Sequence, residues 1–183
     1  YNKKIVLMQC NTNYTADNAN HKFLNLKVLE QFKKKFKNKV ILGLSDHTAG
    51  HNSVLGAVAM GARVVEKHFT DDNKRKGPDH KFSMNTKTWK AMVDETRMLE
   101  NSLGDGHKKI EQNEEDAVIV QRRSIRAAKN LFKNEKIKES SLIFLRPAPK
   151  NSLAPYEKRK ILNKTLKKDI TKGDLINWSK IKN

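Results

Sequence analysis

Three short apolar runs, each rich in β-branched side chains, lie in the first part of the chain. The apolar positions of the first two runs are continuous instead of alternating, which predicts strands that are buried on both faces. The predicted strands span residues 5–10, 40–45 and 63–69. Apolar residues at helical spacing lie between and after them and predict helices from about residue 21 to 35, over 53–60 and over 86–103. Gly61 and Gly104 mark the ends of the last two helices.

Strand and helix therefore alternate over residues 1–110, which is typical of βα units in a parallel sheet. Three units cannot close a barrel, because an eightfold βα barrel needs ~250 residues. After the acidic stretch 111–116 the pattern changes to short alternating runs at 118–120, 124–127 and 142–145. We therefore expect an α/β domain over 1–110, a linker over 111–120 and a small β-rich domain over 121–183.

The chain carries a net charge of +18, from 30 lysines and 8 arginines against 20 acidic residues. The excess is spread evenly, since residues 1–110 have 20 basic and 11 acidic side chains and residues 111–183 have 18 and 9. Nucleic-acid binding usually requires clustered basic residues, arginines and exposed aromatic rings. We therefore interpret the lysines as solvated surface and expect no specific nucleic-acid partner. A non-catalytic basic module that binds nucleic acid or another polyanion is the alternative.

The apolar runs and the single cysteine of the sequence bear on the cellular compartment of the protein. No apolar run approaches the ~20 residues of a membrane span, and no leader-like segment opens the chain. The single Cys10 cannot form an internal disulfide. We expect a cytoplasmic protein that does not contact a membrane. Because the chain starts at Tyr1, directly before an apolar strand, we also expect it to be part of a longer protein.

Polar side chains follow the predicted strands, where active sites of α/β proteins lie. His47 and His68 hold equivalent positions after the second and third strands. Period-two alternation places Ser45 on the strand face of His47, and Glu66 on that of His68. The two imidazoles could therefore converge as ligands of Mn²⁺, Mg²⁺ or Zn²⁺. Alternatively, each could be an ordinary hydrogen-bonded histidine.

Three acidic residues near these histidines each admit two interpretations. Asp46 and Glu66 could hold the imidazole rings in place or could form salt bridges. Asp79 lies in the loop after the third strand, where it could accept hydrogen bonds from sugar hydroxyls or form a turn after Pro78.

Six motifs resemble, in order and spacing, the sequences of the sialic acid synthase family. Those in the first domain are GLSDHT at 43–48, EKHFT at 66–70 and GPDHK at 77–81. Those in the second domain, RRSI at 122–125, LRP at 145–147 and KKDI at 167–170, resemble the antifreeze-like (SAF) domain that ends these synthases. The resemblance implies the last three βα units of a TIM barrel followed by an antifreeze-like domain.

Synthases of this family condense phosphoenolpyruvate with an N-acetylmannosamine-type sugar and release phosphate. The resemblance implies that His47 and His68 bind a divalent metal, Mn²⁺ or Mg²⁺. Whether the sugar is N-acetylmannosamine or a di-N-acetylated deoxy sugar stays open. A different metal-dependent barrel enzyme that uses phosphoenolpyruvate or a sugar phosphate is a third possibility.

The resemblance also implies substrate contacts. Thr12 and Ser45 would hold the phosphoenolpyruvate carboxylate, although relatives commonly carry Asn or Ser in place of Thr12. Tyr14 and Asp79 would contact the sugar, and Arg146 would reach across a homodimer to cover the sugar of the partner. The family's phosphate-binding lysines and key glutamate belong to earlier barrel strands. We therefore assign no catalytic residue and expect this chain to be inactive by itself.

Overall fold

The computed structural model describes residues 2–14 and 17–182. The chain divides into two compact units, Tyr1–His107 and Lys108–Asn183. Each unit has its own hydrophobic core. Within the described residues, no helix combines the length and the apolar character needed to cross a membrane.

The first unit is a three-stranded parallel sheet with an α-helix following each strand. The strands are β1 (Val6–Cys10), β2 (Ile41–Asp46) and β3 (Val64–Lys67), and the helices are α1 (Val28–Phe36), α2 (Asn52–Ala59) and α3 (Thr86–Leu103). The central strand is β2, with Cys10 of β1 opposite Ser45 and Lys67 of β3 opposite Asp46. The predicted α/β fold of parallel βα units is confirmed.

The three strands differ in burial, and the prediction of burial on both faces, made for the first two strands, is wrong for β1. β3 is also partly exposed, with Val64 37% exposed. Leu42 and Leu44 of the central strand are buried, whereas Val6 of β1 is 41% exposed. Within the described residues β1 pairs with β2 alone. The core forms between β2 and the helices, and its buried members include Leu29, Leu44, Val54, Ala57 and Met92.

The helix predicted from about residue 21 is interrupted in the structure. A 3₁₀ helix spans Asn18–Phe23, and the side chain of Asp17 caps it by accepting a hydrogen bond from the Ala19 backbone N–H. Asn25 then adopts a left-handed conformation with φ 49°, which an α-helix cannot contain. The α-helix therefore begins only at Val28.

The second unit is built from short pieces around an apolar core. Its strands β4 (Ser124–Ala127) and β5 (Leu142–Leu145) are antiparallel, and its α-helices are α4 (Glu115–Gln121) and α5 (Lys158–Ile161). The apolar run 118–120, predicted as part of the β-rich pattern, lies in α4, whose first turn carries the acidic Glu115 and Asp116. Acidic side chains stabilise that end of a helix through its dipole. The predicted small β-rich region is otherwise confirmed.

Further 3₁₀ helices and isolated bridges complete the structure. The 3₁₀ helices are Lys37–Lys39, Gln112–Glu114, Glu139–Ser141, Pro155–Glu157 and Trp178–Lys180. Antiparallel bridges pair Leu131 with Ile170, and Leu166 with Ile181. All four of these residues belong to the core of the second unit, so the bridges connect distant segments of chain through buried positions.

The core of the second unit is small, and we expect it to be sensitive to a single truncation. Ile125 of β4 is fully buried, and Ile125→Ala should lower the free energy of unfolding by about 2–5 kcal/mol. Ile143 of β5 is 40% exposed, so Ile143→Ala is the matched control and should have little effect. Denaturation followed by Trp178 fluorescence in a Trp89→Phe background measures this unit alone. Equal losses in the two variants would contradict the assignment of Ile125 to the core.

Candidate functional site

The carboxyl ends of β2 and β3 bring two histidines together. The sheet register places Ser45 opposite Glu66 and Asp46 opposite Lys67, and the next residues along the two strands are His47 and His68. The centroids of their imidazole rings lie 5.1 Å apart, with 63° between the ring planes. Strand alternation left open whether the two rings converge, and the structure shows that they lie side by side.

Each histidine has an oxygen acceptor beside its Nδ1 atom. His47 Nδ1 lies 3.0 Å from the carbonyl oxygen of Asn11, and His68 Nδ1 lies 3.5 Å from Oδ2 of Asp79. A carbonyl or carboxylate oxygen can only accept, so the neutral ring carries its proton on Nδ1 and its lone pair on Nε2. A hydrogen bond from the second ring nitrogen is the usual way in which proteins orient a metal-binding histidine, and the contact of His47 with Asn11 has this form. The binding of a divalent cation by the two rings stays a prediction.

Aromatic side chains pack around the histidine pair. The Tyr14 ring lies 4.2 Å from the His47 ring and 5.4 Å from the His68 ring, centroid to centroid. Phe82 packs on His68 with the ring centroids 5.3 Å apart. We refer to Tyr14, His47, His68 and Phe82 as the ring cluster. Phe82 was not predicted from the sequence, although its position directly after the GPDHK motif was an available signal.

Asp46 belongs to a buried ion pair. Its Oδ2 atom accepts a hydrogen bond from Lys67 Nζ at 2.7 Å and another from the Ser53 hydroxyl. Its Oδ1 atom accepts from the backbone N–H and the hydroxyl of Thr48. Burial raises the pKa of Asp46, but the hydrogen bonds from Lys67 and Ser53 and the charge of Lys67 outweigh it, so the pKa lies below its ordinary value. Of the two interpretations of Asp46, the structure shows the salt bridge.

Glu66 and Ser45 form a second cross-strand pair. The Ser45 hydroxyl donates to Oε2 of Glu66 over 2.5 Å. Because this hydroxyl already donates its proton to a carboxylate, it has to turn away from Glu66 before it can donate to a substrate anion. The predicted contact of Ser45 with phosphoenolpyruvate therefore requires a local rearrangement, and it stays a prediction.

The loop that carries Asp79 is held by its own hydrogen bonds. Asn73 Nδ2 donates to the backbone carbonyls of His80 and Ser83 at 2.8 Å. Nδ1 of His80 lies 2.7 Å from the Thr70 hydroxyl. These contacts fix the loop on the side of β3, with the Asp79 carboxylate against His68. Asp79 thus lies within the candidate site, and its contact with a sugar stays a prediction.

The other two predicted substrate contacts, Thr12 and Arg146, take part in none of the interactions described above. Thr12 is exposed in the loop that follows β1. Arg146 is exposed in the second unit, directly after β5. The carbonyl oxygen of the next residue, Pro147, accepts hydrogen bonds from the Ser124 hydroxyl at 2.8 Å and from Arg126 Nη2 at 2.9 Å. The loop at Arg146 is therefore fixed to β4.

The predicted metal ligands are the two imidazoles. Throughout the described part of the chain, no cluster of three or more His, Cys, Asp or Glu side chains is arranged to hold a metal ion. Two neutral imidazoles suit Mn²⁺, Mg²⁺ or Zn²⁺ when water and substrate oxygens supply the remaining ligands. The donor set therefore fits a catalytic site with open positions.

Comparison with known proteins identifies the two units. Residues 1–108 match the NeuB family, and residues 122–182 match the SAF domain. The N,N'-diacetyllegionaminic acid synthase of Campylobacter jejuni is 38% identical over 169 residues, which cover 91% of this chain and 49% of that protein. The pseudaminic acid synthase of the same species is 37% identical over 178 residues, which cover 96% of this chain and 49% of that protein.

A solved structure shows the same relation. The crystal structure of N-acetylneuraminic acid (sialic acid) synthetase from Leptospira borgpetersenii, in complex with citrate, matches with a TM-score of 0.52 at 30% identity. The match covers 62% of this chain and 38% of that one. The chain spans about half the length of the curated relatives it matches. Since the NeuB match covers more than half of its residues and the second unit matches the SAF domain, the chain belongs to the NeuB family, whose members similar to it are nonulosonic acid synthases.

Proposed function

We propose that this chain supplies the C-terminal part of a nonulosonic acid synthase. The enzyme condenses phosphoenolpyruvate with an N-acyl amino sugar of the N-acetylmannosamine type and releases phosphate. The observation that carries the proposal is the pair of imidazoles, 5.1 Å apart, each with an oxygen atom beside Nδ1. The names of the relatives support the reaction class.

In this proposal His47 and His68 hold a divalent cation, Mn²⁺ or Mg²⁺. When bound, such an ion acts as a Lewis acid that polarises a carbonyl oxygen, here that of the sugar aldehyde. Asn11 and Asp79 place an oxygen atom beside Nδ1 of each ring, which favours the tautomer whose Nε2 lone pair is free for the ion. Tyr14 is half exposed beside both rings and covers them on one side.

The substrate contacts follow from the same arrangement. Asp79 accepts hydrogen bonds from sugar hydroxyls with its exposed carboxylate, and Tyr14 contacts the sugar ring. Ser45, once turned from Glu66, and Thr12 hold the carboxylate of phosphoenolpyruvate. In a homodimer, Arg146 covers the sugar of the partner. The resemblance of the motifs supports these roles.

Two carboxylates near the histidines disfavour anion binding. They belong to Glu66 of β3 and to Asp79 of the loop that follows it, and they repel phosphoenolpyruvate. The nearby ammonium group of Lys67 is buried against Asp46. We infer that cations supplied by other parts of the whole enzyme bind the phosphate group.

We therefore expect the purified 183-residue chain to show no turnover. Phosphate release from phosphoenolpyruvate with N-acetylmannosamine and Mn²⁺ should stay at background, because the phosphate-binding lysines and key glutamate that the resemblance implies belong to earlier barrel strands. The product of the complete open reading frame, assayed beside it by mass spectrometry, should form the nine-carbon keto acid. Replacing N-acetylmannosamine with di-N-acetylated deoxy sugars identifies the amino sugar. Robust turnover by the 183-residue chain would refute its proposed role as part of the active site.

A further inference from the structure

Asp46 and Lys67 form a buried pair beside the two histidines. Lys67 directly precedes His68, and Asp46 directly precedes His47. The two side chains are 3% and 0% exposed, and their charged atoms are 2.7 Å apart. We propose that this pair positions His47 and His68 relative to each other by fixing the register of β2 against β3 and the turn that follows β2. The proposal rests on the proposed function only through its metal-binding readout.

Lys67 binds the chain on both sides of His47. Its Nζ atom donates to the Asp46 carboxylate and, at 2.8 Å, to the carbonyl oxygen of Thr48. Asp46 and Thr48 are the two sequence neighbours of His47. One ammonium group, attached to the residue before His68, therefore holds the backbone segment that carries the other histidine. Displacement of either strand end changes the distance between the rings.

The carboxylate of Asp46 extends this connection to the next helix. It accepts hydrogen bonds from the backbone and hydroxyl of Thr48 and from the hydroxyl of Ser53, which lies in the first turn of α2. Thr48 and Ser53 are themselves buried, and their hydroxyl oxygens are 3.1 Å apart. The turn that contains His47 is therefore fixed to β3 at one end and to α2 at the other.

A charged pair determines the strand register more strictly than an apolar pair. A slip of one residue between β2 and β3 would move side chains to the opposite face of the sheet. It would also leave two buried charges unpaired, which is strongly unfavourable. An apolar pair at the same positions would tolerate small shifts. The buried charges thus select the one register in which Ser45 faces Glu66 and the two imidazoles meet.

The competing explanation is that the pair only stabilises the fold. The single variant Lys67→Met cannot decide this, because it leaves the Asp46 carboxylate buried without its cation. The double variant Asp46→Asn/Lys67→Met removes both charges and keeps side chains of similar size. Without an uncompensated buried charge, it avoids the main cost of removing one member of the pair. The double variant therefore separates the effect of the pair on the stability of the fold from its effect on the positions of the two imidazoles.

The experiment uses the complete 183-residue chain. In the metal-free chain, NMR measures the ring-to-ring nuclear Overhauser effect between His47 and His68. Titration with Mn²⁺, followed by electron paramagnetic resonance, measures ion affinity, and chemical denaturation measures stability. We expect the double variant to recover most of the stability lost in Lys67→Met, yet to show a weakened ring-to-ring signal and Mn²⁺ affinity reduced about 10–100-fold, as for other groups that orient metal ligands.

Lys67→Arg is the conservative control, because it retains a cation that can donate to both Asp46 and Thr48. It should keep the ring-to-ring signal and most of the Mn²⁺ affinity. A double variant with the parent's ring-to-ring signal and Mn²⁺ affinity would overturn the proposal. If the parent chain itself binds no Mn²⁺, the proposed metal site fails, and the ring-to-ring signal in the metal-free variants still decides whether the pair positions the histidines.

Discussion

Replacing either His47 or His68 with alanine is expected to abolish Mn²⁺ binding by this chain and metal-dependent turnover by the whole enzyme. The two imidazoles are the only predicted protein ligands, and one remaining imidazole cannot hold the ion against water. The loss should exceed the 10–100-fold effect typical of groups that only orient a ligand. Electron paramagnetic resonance of Mn²⁺ titrated into each variant measures the affinity.

The control for this prediction is another histidine of the same unit. His107 is exposed and lies outside the ring cluster, so His107→Ala should bind Mn²⁺ like the parent chain. His47 is buried and packs on Tyr14, so circular dichroism must first show that His47→Ala is folded. Unchanged Mn²⁺ affinity in a folded His47→Ala or His68→Ala variant would refute the ligand assignment.

The first and last residues of elements with strong local signals could be predicted from the sequence. α3 begins and ends where expected, because the Asn85 side chain caps its first turn and Gly104 follows its last residue. The interruption at Asn25 was not predicted. Leu24 and Leu29 lie on either side of it, and both are buried in the same core. Only the left-handed backbone at Asn25 separates the 3₁₀ helix from α1.

The candidate site could be predicted only in part, because local periodicity does not encode strand register or loop contacts. Period-two alternation placed each histidine on a face of its strand but left open whether the two rings converge. It could not identify the partner of Asp46, because that partner depends on the register of β2 against β3. A shift of one residue would have placed Glu66 or His68 opposite Asp46 instead of Lys67. Contacts made by loops, such as that of Phe82 with His68, depend on tertiary structure and have no periodic signal.

Asp46→Asn is expected to cause the largest loss of stability among single substitutions in the first unit. It leaves the buried ammonium group of Lys67 without an opposite charge, which typically costs about 3–5 kcal/mol. The matched control is Asp71→Asn, because Asp71 pairs with Arg75 on the surface and exposed pairs add little. Denaturation followed by Trp89 fluorescence in a Trp178→Phe background measures the first unit. Equal stability of the two variants would contradict the role of the buried pair.

The dependence of this effect on pH follows from the lowered pKa of Asp46. Burial raises the pKa, but the hydrogen bonds from Lys67 and Ser53 hold it below the ordinary value of 3.8. A carboxyl group with a lowered folded-state pKa contributes stability that is fully present above its unfolded-state pKa, and that is lost as the pH falls through the folded-state pKa. The stability difference between the parent chain and Asp46→Asn should therefore be constant from pH 7 to about pH 5 and shrink below about pH 4, where the Asp46 carboxylate of the unfolded parent chain becomes protonated while that of the folded chain is still ionised. A difference that stays constant down to pH 3 would show that the charge of Asp46 does not stabilise the first unit.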